Sequence, residues 1–489
     1  MSMVYAWNLV NPTLCYGRDG LLQELLRELP GHPGFSFGIA GGRRMGKTTL
    51  LRRVEMEIQA HAETWRSGGL RIIPLYLDGL ALPRPLTAAD VWGYLLRILQ
   101  DALPEYQQPA PLSLDFDRFK DVLRDVLRSV LTSTAEQPRL IVLFDEIEPV
   151  LVCEDWAGGL LANWRALLSN TPGLSEYLTT VFAGAREMAL LQRDITSPLA
   201  DILKWRNLRV LEFEDACRLM QEPLGQEWSD AFLETVYRET GGHPMLLQYI
   251  MQYVCSRAPG AVEPLAEEAI ATFAREQRRQ FSQWWSRYCS PDARLVYARL
   301  PDDGSLIPRR NLTREFGSTS ADNALEILQH VGLVTAAEDG FAFRYSGEMF
   351  RRWYREYGKD DLNDVPRHDP DIYTRLCNIQ PHLGDRYLTA WKIYQNPEFA
   401  NYSGAAAEMR DIITGLLDVI APKDAVEKEA GFKREKGRKE PSRIQQVAYA
   451  VRHIYGPGTK ETTEVPSDYS LLEAEWEKLE HLEECLPQW

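Results

Sequence analysis

The chain has 489 residues, 45% of them hydrophobic and 26% charged, and a formal charge of −15. These proportions are ordinary for a globular protein and exclude a disordered or fibrous chain, and the length predicts about three domains. The negative charge opposes binding to a polyanion such as DNA, although a local basic patch could still provide it.

The sequence also bears on the compartment of the protein. No apolar run approaches the roughly 18 residues that a membrane helix requires, and residues 1–10 lack the basic and apolar regions of a secretory signal. The seven cysteines are scattered and form no CxxC pair, which is typical of a reducing compartment and argues against a zinc cluster. We therefore expect a cytoplasmic protein without a membrane segment.

The pattern of secondary structure divides the chain into four segments. Over residues 1–213 apolar runs alternate with helical stretches, which predicts an α/β domain with a doubly wound parallel sheet. The predicted strands are residues 35–40, 71–77, 140–144, 179–183 and 208–213. Residues 214–280 are helical only, residues 281–357 form three helices and a hairpin, and residues 371–489 are again helical after a polar linker.

The loop after the first predicted strand carries a clear chemical signal. Residues 41–48, GGRRMGKT, fit the pattern GxxxxGK[ST] and precede a helix predicted over 49–59. The glycines let backbone N–H groups surround phosphate oxygens, Lys47 reaches the β- and γ-phosphates, and the Thr48 hydroxyl ligates Mg²⁺. We predict ATP or ADP and Mg²⁺ as ligands, with contacts from Gly41, Gly42, Gly46, Lys47, Thr48 and Thr49.

Two carboxylates follow the predicted strand 140–144. Asp145 and Glu146 are expected at the carboxyl end of this strand, where ligands bind in doubly wound sheets. Asp145 can complete the shell of Mg²⁺, and Glu146 can orient or deprotonate the attacking water. We therefore predict Lys47 and Glu146 as catalytic residues of ATP hydrolysis, with Glu148 as the alternative base.

Three segments occur together in a recognisable combination. They are Asn11-Pro12 with Gly17-Arg18, the loop GRRMGKTTLL at 42–51, and GGHPMLLQ at 241–248. Together they resemble the STAND class of AAA-related P-loop ATPases, and most closely its archaeal-type and bacterial members. The resemblance extends over about residues 8–355 and implies a P-loop core at 1–213, a helical lid at 214–280 and a winged helix at 281–357.

The same resemblance implies contacts on the adenine side of the nucleotide. Pro12, Gly17, Arg18 and Pro244 would contact the base, and His243 would lie near the phosphates. The alternative for Pro244 is the first residue of a helix behind a glycine turn, and for His243 it is a cap on the surface.

Arg186 follows the predicted strand 179–183 in the sequence Gly184-Ala185-Arg186. Relatives carry a polar sensor after this strand, sometimes in a Gly-x-x-Arg arrangement that is one residue longer, so the correspondence is incomplete. We predict that Arg186 contacts the γ-phosphate and takes part in catalysis, and the alternative is an arginine paired with a nearby glutamate. The sequence identifies no arginine finger from a neighbouring subunit.

The charges of the predicted winged helix differ from those of a typical DNA-binding module. From Arg287 to Tyr357 there are ten basic and ten acidic residues, and the recognition-like helix (320–330) contains Asp322 and Glu326 but no Lys or Arg. Two carboxylates approaching DNA phosphates would be repelled. We expect this module to pack on the ATPase core or on its own neighbour, with Arg309-Arg310 and Arg351-Arg352 as the alternative backbone contacts to DNA.

The C-terminal segment, 371–489, matches no family on its motifs and is predicted to be an α-helical bundle. Arg375 and His382 have the loose R-x6-H spacing of HEPN ribonucleases, which we interpret as chance because Pro381 interrupts the helix. Residues 423–443 carry eight basic residues, which could bind phosphate or an acidic surface or form a solvated loop. The chain ends in an acidic helix with an apolar stripe, for which we favour docking within the bundle: Leu472, Trp476, Leu479, Leu482 and Leu486.

These observations lead to one hypothesis and two alternatives. The first is a slow, regulatory STAND-like ATPase whose nucleotide state sets homo-oligomerisation and the exposure of a C-terminal sensor or effector. The resemblance implies protein partners and signalling, with stress or antiviral defence as the setting. The alternatives are a DNA-associated ATPase of the origin-recognition or transposition-helper type, and a nucleotide-binding scaffold that hydrolyses ATP negligibly.

Overall fold

The computed structural model divides the chain into two compact units, Met1–Asn363 and Asp364–Trp489. It describes residues 4–31, 34–104, 114–134, 136–194, 196–257, 262–359, 370–395, 402–429, 432–434 and 440–455. No helix within these ranges is long and apolar enough to cross a membrane.

A five-stranded sheet forms the centre of the first unit, and all of its strand pairs are parallel. Its strands are β1 (Ser36–Gly41), β2 (Leu70–Asp78), β3 (Gln137–Asp145), β4 (Leu178–Gly184) and β5 (Leu203–Leu208). The spatial order is β2-β3-β4-β1-β5, so the strand that leads into the phosphate loop lies between β4 and β5. The central strands β1 and β4 are buried along their whole length, as a sheet covered on both faces requires.

Helices cover the sheet, and this arrangement is the P-loop NTPase fold, which confirms the predicted fold class. The helices are α1 (Asp19–Glu28), α2 (Lys47–Ala60), α3 (Ala62–Ser67), α4 (Ala88–Ala102), α5 (Phe116–Thr134), α6 (Glu148–Leu151), α7 (Glu154–Arg165) and α8 (Arg186–Arg193). One buried cluster, which includes Trp92 and Trp164, lies between the sheet and α4, α5 and α7. A second cluster, which includes Leu50 and Ile141, lies beneath α1 and α2.

The fifth strand differs from the sequence prediction. We expected it at residues 208–213, and it lies at Leu203–Leu208. This edge strand contains Lys204, Arg206 and Asn207, so its burial is partial and its apolar pattern is weak. The apolar residues that follow, Val210 and Leu211, are buried in the connection to the next helix.

Four helices follow the sheet and form what we call the lid helices. They are α9 (Phe213–Gln221), α10 (Asp230–Thr240), α11 (Pro244–Arg257) and α12 (Val262–Glu276). Helix α10 ends at Gly241, whose φ of 61° is the left-handed conformation that commonly ends helices. Gly242 continues the turn with a φ of 72°, and Pro244 then starts α11.

Residues 281–357 form what we call the wing module, which α13 (Arg278–Gln283) joins to the lid helices. Its helices are α14 (Pro291–Ala298), α15 (Arg309–Phe316), α16 (Ser318–Val331) and α17 (Glu348–Trp353), and its strands are β6 (Ile307–Pro308), β7 (Val334–Ala336) and β8 (Ala342–Tyr345). The predicted hairpin corresponds to β7 and β8, and the short β6 adds a third strand in the order β6-β8-β7. The wing module and the lid helices share one buried cluster, so they pack as a single body.

The described part of the second unit is helical, as predicted. It contains α18 (Pro370–Ile379), α19 (Pro381–Gln395), α20 (Tyr402–Ile420), α21 (Lys423–Glu427) and α22 (Arg443–Tyr455). Small buried clusters lie around Leu383 and around Val426. The predicted terminal stripe from Leu472 to Leu486 lies outside the described residues.

Candidate functional site

The phosphate loop connects β1, which ends at Gly41, to α2, which begins at Lys47. Gly46 caps α2 with a φ of 91°, a left-handed conformation that glycine adopts without strain. The first N–H groups of α2 have no partner within the helix, so they and the helix dipole favour an anion here. Thr48 and Thr49 lie in this first turn and are partly exposed.

The Lys47 ammonium is folded into the loop. Its Nζ donates to the carbonyl oxygens of Gly41 at 2.8 Å and Gly42 at 3.1 Å, and the residue is only 4% exposed. A lysine held this way is already positioned over the loop. Phosphate oxygens that recruit it would replace its two bonds to the carbonyl groups.

Asp145, the last residue of β3, has a fixed orientation. One carboxylate oxygen accepts a hydrogen bond from the Tyr76 hydroxyl at 2.7 Å, and the other accepts one from the Glu146 N–H at 3.0 Å. Tyr76 lies on the neighbouring strand, and the Arg52 guanidinium carbon lies 3.2 Å from the centre of its ring. Tyr76 was not predicted, because the sequence gives no sign that its hydroxyl faces Asp145.

Glu146 occupies a strained backbone conformation with a φ of 48°. The chain can turn here because Gly79 packs against the Glu146 carbonyl group, where a side chain on Gly79 would overlap it. Burial raises the pKa of the Glu146 carboxyl group, while the Lys47 ammonium lowers it. A raised pKa favours proton acceptance near neutral pH, as a general base requires.

Glu148 is a third carboxylate at this edge of the sheet. One of its oxygens accepts a hydrogen bond from the Ala185 N–H, so the side chain joins the start of α6 to the end of β4. Its other oxygen is buried without a partner among the described residues. Burial raises the pKa of Glu148 to about 7, with Lys47 opposing that rise. The sequence suggested Glu148 only as a substitute for Glu146.

Arg186 is the first residue of α8, directly after the end of β4, and its side chain is exposed. It forms no ion pair with any residue in the described ranges, so the structure gives no support there to the alternative of a structural pair with a glutamate. Because Glu148 holds the Ala185 N–H, the segment that presents Arg186 is tied to α6. The role of Arg186 as a sensor stays a prediction.

Thr48 and Asp145 suit Mg²⁺, because a hydroxyl and a carboxylate are oxygen ligands and Mg²⁺ keeps waters and phosphate oxygens as its remaining ligands. Within the described residues, no group of three or more His, Cys, Asp or Glu could hold a metal alone. The donor set therefore fits an ion that arrives with the phosphates.

The predicted adenine-side residues lie close to one connection. Pro12 begins a short 3-10 helix, and Gly17 has a φ of 66° and packs against Leu211 and Asp215. Arg18 donates to the carbonyl oxygens of Gly17 and Arg209, and its pKa is lowered, chiefly by burial. The structure thus directs the guanidinium of Arg18 toward the backbone after β5.

The lid turn reaches the same connection. Leu211 N–H donates to the Gly242 carbonyl oxygen at 2.9 Å, and both Gly242 and Pro244 are buried. Gly17 and the lid turn therefore meet at Leu211. This proximity agrees with a shared binding region, while the contact of Pro12, Gly17, Arg18 and Pro244 with a base stays a prediction.

His243 lies in the interior and not on the surface, so the alternative of a surface cap is wrong. Its ring is stacked on Trp284 with centroids 4.5 Å apart, and its Nδ1 accepts a hydrogen bond from Met245 N–H at 3.3 Å. Burial lowers the pKa of His243 to about 3, so the ring is neutral at physiological pH. In this structure the ring packs lid against wing, and its proximity to phosphates stays a prediction.

The wing module touches the phosphate loop directly. Gly42 N–H donates to the His330 carbonyl oxygen at 2.8 Å, at the carboxyl end of α16. Burial, together with Lys47 and Arg193, lowers the pKa of the His330 side chain to about 4. The sequence did not reveal this contact, since 288 positions separate the two residues and no local pattern marks it.

The acidic residues of the recognition-like helix α16 form partly exposed ion pairs with other residues of the protein. Glu326 forms an ion pair with Arg193 of α8, and Asn323 accepts a hydrogen bond from the same arginine at 3.2 Å. Asp322 pairs with Arg309 of α15. Asn323 and Glu326 therefore contact the core helix α8, as the charge argument favoured, while Asp322 contacts α15 within the wing module.

An N-terminal segment links the lid to the loop. Tyr5 donates from its hydroxyl to the carbonyl oxygens of Leu219 and Met220 in α9. Trp7 packs edge-on against Tyr249 of α11, and its carbonyl oxygen accepts a hydrogen bond from Arg44 at 3.4 Å. Arg44 has a φ of 68°, so this contact constrains a strained position of the phosphate loop.

The C-terminal unit brings few of its predicted residues together. Arg375 and His382 are exposed and lie on separate helices, α18 and α19, which agrees with a chance match. In the basic segment Lys423 pairs with Glu440 and Arg434 pairs with Glu427, as in the solvated-loop alternative. Residues 435–439, which hold three more of its basic residues, lie outside the described ranges.

One family model matches part of the second unit. Residues 376–482 match the model of a family described as predicted pPIWI-associating nuclease. No curated protein matches the chain.

Several solved structures resemble about seven tenths of this chain. The Walker-type ATPase PABY2304 of Pyrococcus abyssi is 14% identical with a TM-score of 0.47, over 70% of this chain and 96% of that one. The ORC2 protein of Aeropyrum pernix, in ADPNP–ADP complexes, is 16% identical with a TM-score of 0.42, over 73% and 98%. Cdc6p of Pyrobaculum aerophilum is 14% identical with a TM-score of 0.37, over 74% and 99%. Likenesses of this degree carry no argument about function, so the fold assignment rests on strand order and the phosphate loop.

Proposed function

We propose that the protein is a STAND-like, cytoplasmic ATP switch whose slow hydrolysis controls a C-terminal nuclease module. The main evidence for the switch is the hydrogen bond between Gly42 of the phosphate loop and His330 of the wing module. It supports a closed state in which the wing contacts the loop that would hold the phosphates of a nucleotide.

The residues of the loop supply a physical route from nucleotide to wing. Gly42 accepts a hydrogen bond from Lys47 and donates one to His330. A nucleotide whose phosphates bind the Lys47 ammonium removes the hydrogen bond from Lys47 to the Gly42 carbonyl oxygen. Gly42 is the residue that holds α16 through its own bond to His330. ATP and ADP place different charge beside Lys47, so they differ in affinity for the closed and open states, as a population shift requires.

Hydrolysis uses the carboxylates at the end of β3. Thr48 and Asp145 would hold Mg²⁺, which supplies positive charge to the phosphates when bound. Glu146 accepts the proton of the attacking water, and Lys47 stabilises charge on the transferred phosphate group. Glu148 positions the β4 end and Arg186 through its bond to Ala185.

Hydrogen–deuterium exchange on the full chain tests the switch. With a non-hydrolysable ATP analogue, peptides covering 41–46 and 318–333 should exchange faster than with ADP, because the wing has left the loop. Light scattering on the same samples should show larger oligomers with the analogue. Equal exchange in both nucleotides would exclude nucleotide control of the wing, and stimulation of ATPase activity by DNA would favour the DNA-associated alternative.

The nuclease output rests on the family match at residues 376–482. The described part of that region contains polar pairs such as Arg386 with Asp411 and Arg443 with Asp418, and a buried Gln446 that donates to Asp418. The family match, and not these polar pairs, favours effector over sensor for the second unit.

The test is cleavage of labelled RNA and DNA by the full chain with and without ATP. We expect cleavage that depends on nucleotide, and its loss in a chain that ends at Asn363, the limit of the first unit, with ATP binding retained. The matched control is the full chain with Lys47→Ala, which should keep the second unit but lose the response to nucleotide. Cleavage by the shortened chain would assign the activity to another source.

A further inference from the structure

A cavity lies on the side of the lid that faces α17, and its lining residues belong to α10, α12, α13, α17 and the turn after α17. Its volume is about 700 Å³, within the usual range for small-molecule sites. These lining residues include no part of the phosphate loop or of the carboxylate edge of the sheet. The cavity is therefore separate from the nucleotide site.

The charges around the cavity are mixed and slightly positive. Four arginines and three glutamates line it: Arg238, Arg275, Arg278, Arg352, Glu239, Glu267 and Glu356. Arg352 pairs with Glu239, which ties α17 to α10. Arg238 forms no ion pair with a residue in the described ranges. At least one guanidinium is thus available for an anion, and carboxylates remain as acceptors for N–H or O–H groups.

Aromatic and apolar groups provide a second kind of contact. The Arg278 guanidinium carbon lies 4.6 Å from the centre of the Tyr357 ring, and both side chains are exposed toward the cavity they line. Trp353, Met349 and Ile270 complete an apolar wall. A guanidinium stacked on an aromatic ring extends a flat surface on which a planar ligand can stack.

We propose that this cavity binds a nucleoside monophosphate or a ligand with the same chemistry, which is a phosphate joined to a planar polar ring. Arg238 supplies the fork-shaped donor that matches phosphate oxygens, and Arg275 supplies a second one by leaving its exposed ion pair with Glu276 at 3.6 Å. The Arg278–Tyr357 surface stacks on the ring, and Glu267 and Glu356 accept from its hydroxyl and amino groups.

Such a ligand would join lid to wing, because its contacts come from α10 and α12 on one side and α17 on the other. Because lid and wing already share one buried cluster, the ligand adds contacts within that body. The binding site itself does not depend on ATP control of the wing.

The experiment is calorimetric titration of the full-length Lys47→Ala chain, which removes nucleotide binding at the phosphate loop. The probes are AMP, GMP, CMP and UMP. Two comparison ligands follow: adenosine, which lacks the phosphate, and ribose 5-phosphate, which lacks the base. We expect saturable binding of at least one monophosphate below about 1 mM, about tenfold tighter than the ligands that lack either part.

Two variants and a control locate the site. Arg238→Ala should weaken binding about tenfold by removing a phosphate donor, and Ala271→Trp should do so by filling the cavity without removing charge. The control is Arg257→Ala, because Arg257 stacks on Tyr253 at 3.6 Å outside the cavity and resembles the Arg278–Tyr357 pair. Failure of every monophosphate to bind at 1 mM, or equal affinity in the Ala271→Trp chain, would overturn the proposal while leaving the ATP switch untouched.

Discussion

Substitution of Gly42 by alanine should separate the wing module from the phosphate loop. A methyl group at this position would overlap the carbonyl oxygen of His330 and lie 3.0 Å from the Cα of Val331. Both are backbone atoms, so no side-chain rotation relieves the overlap. Gly42 is not among the glycines with positive φ, and alanine can therefore adopt its backbone conformation.

The magnitude follows from two effects. Overpacking of a close contact costs about 1–3 kcal/mol, and loss of the Gly42–His330 hydrogen bond costs about 0.5–1.5 kcal/mol. Together they shift the equilibrium between closed and open states by about tenfold to a thousandfold. We expect the population of the open state to rise and that of the closed state to fall, even with ADP bound.

Hydrogen–deuterium exchange in ADP measures this shift. Peptides covering 41–46 and 328–334 should exchange faster in Gly42→Ala by the factor above, while those of α4 should not change. Gly93→Ala is the matched control, because a methyl group there meets no atom within 4 Å. If Gly42→Ala exchanged like the wild type, the contact with His330 would not restrain the wing, and the switch as argued would be refuted.

Three further predictions address the site. Lys47→Ala should weaken ADP binding by at least about a hundredfold, measured by titration with a fluorescent ADP, because it removes a charged donor to the phosphates; unchanged affinity would contradict the site. Glu146→Gln should lower kcat about 10²- to 10⁴-fold with nearly unchanged ATP affinity, and a larger loss in Glu148→Gln would make Glu148 the base instead. The pKa of His330 is lowered to about 4, so the folded state holds fewer protons than the unfolded state between about pH 4 and 6.5, and its stability falls as pH falls through that window. His330→Gln should reduce this acid sensitivity in thermal or urea unfolding, and an identical pH profile in both proteins would show that His330 does not titrate on unfolding.

The fold and the phosphate loop were predictable because their signals are local. β1, the loop and α2 lie within 25 residues, and the glycines and Lys47 have a spacing that the chemistry of phosphate binding requires. Strand β3 was predictable because a buried parallel strand forms an unbroken apolar run. The sequence prediction for β5 was wrong because an edge strand is partly exposed, so that Lys204 and Arg206 interrupt its apolar pattern. The buried Val210 and Leu211, which follow the strand, have the apolar pattern that a strand would show.

The remaining site residues depend on contacts between distant segments. The bond from Tyr76 to Asp145 requires the pairing of β2 with β3, and that of His330 to Gly42 requires the wing to fold back onto the core. The sequence around Tyr76 and around His330 contains no pattern that marks either residue as part of the site. His243 shows the same limit, since a histidine after a glycine turn fits a surface cap as well as a buried stack on Trp284.

The packing of Tyr5 has a consequence for how the chain acquires its structure during synthesis. Its hydroxyl bonds to backbone groups 214 and 215 positions later, and its ring belongs to the same buried cluster as the lid and the wing. The ribosome releases the first residues long before α9 exists, so this segment waits through the synthesis of the whole sheet. Contacts of such separation form late and slow the final step of folding. The nucleotide-binding half can therefore be assembled on the ribosome before the lid closes its own core around the N-terminal segment.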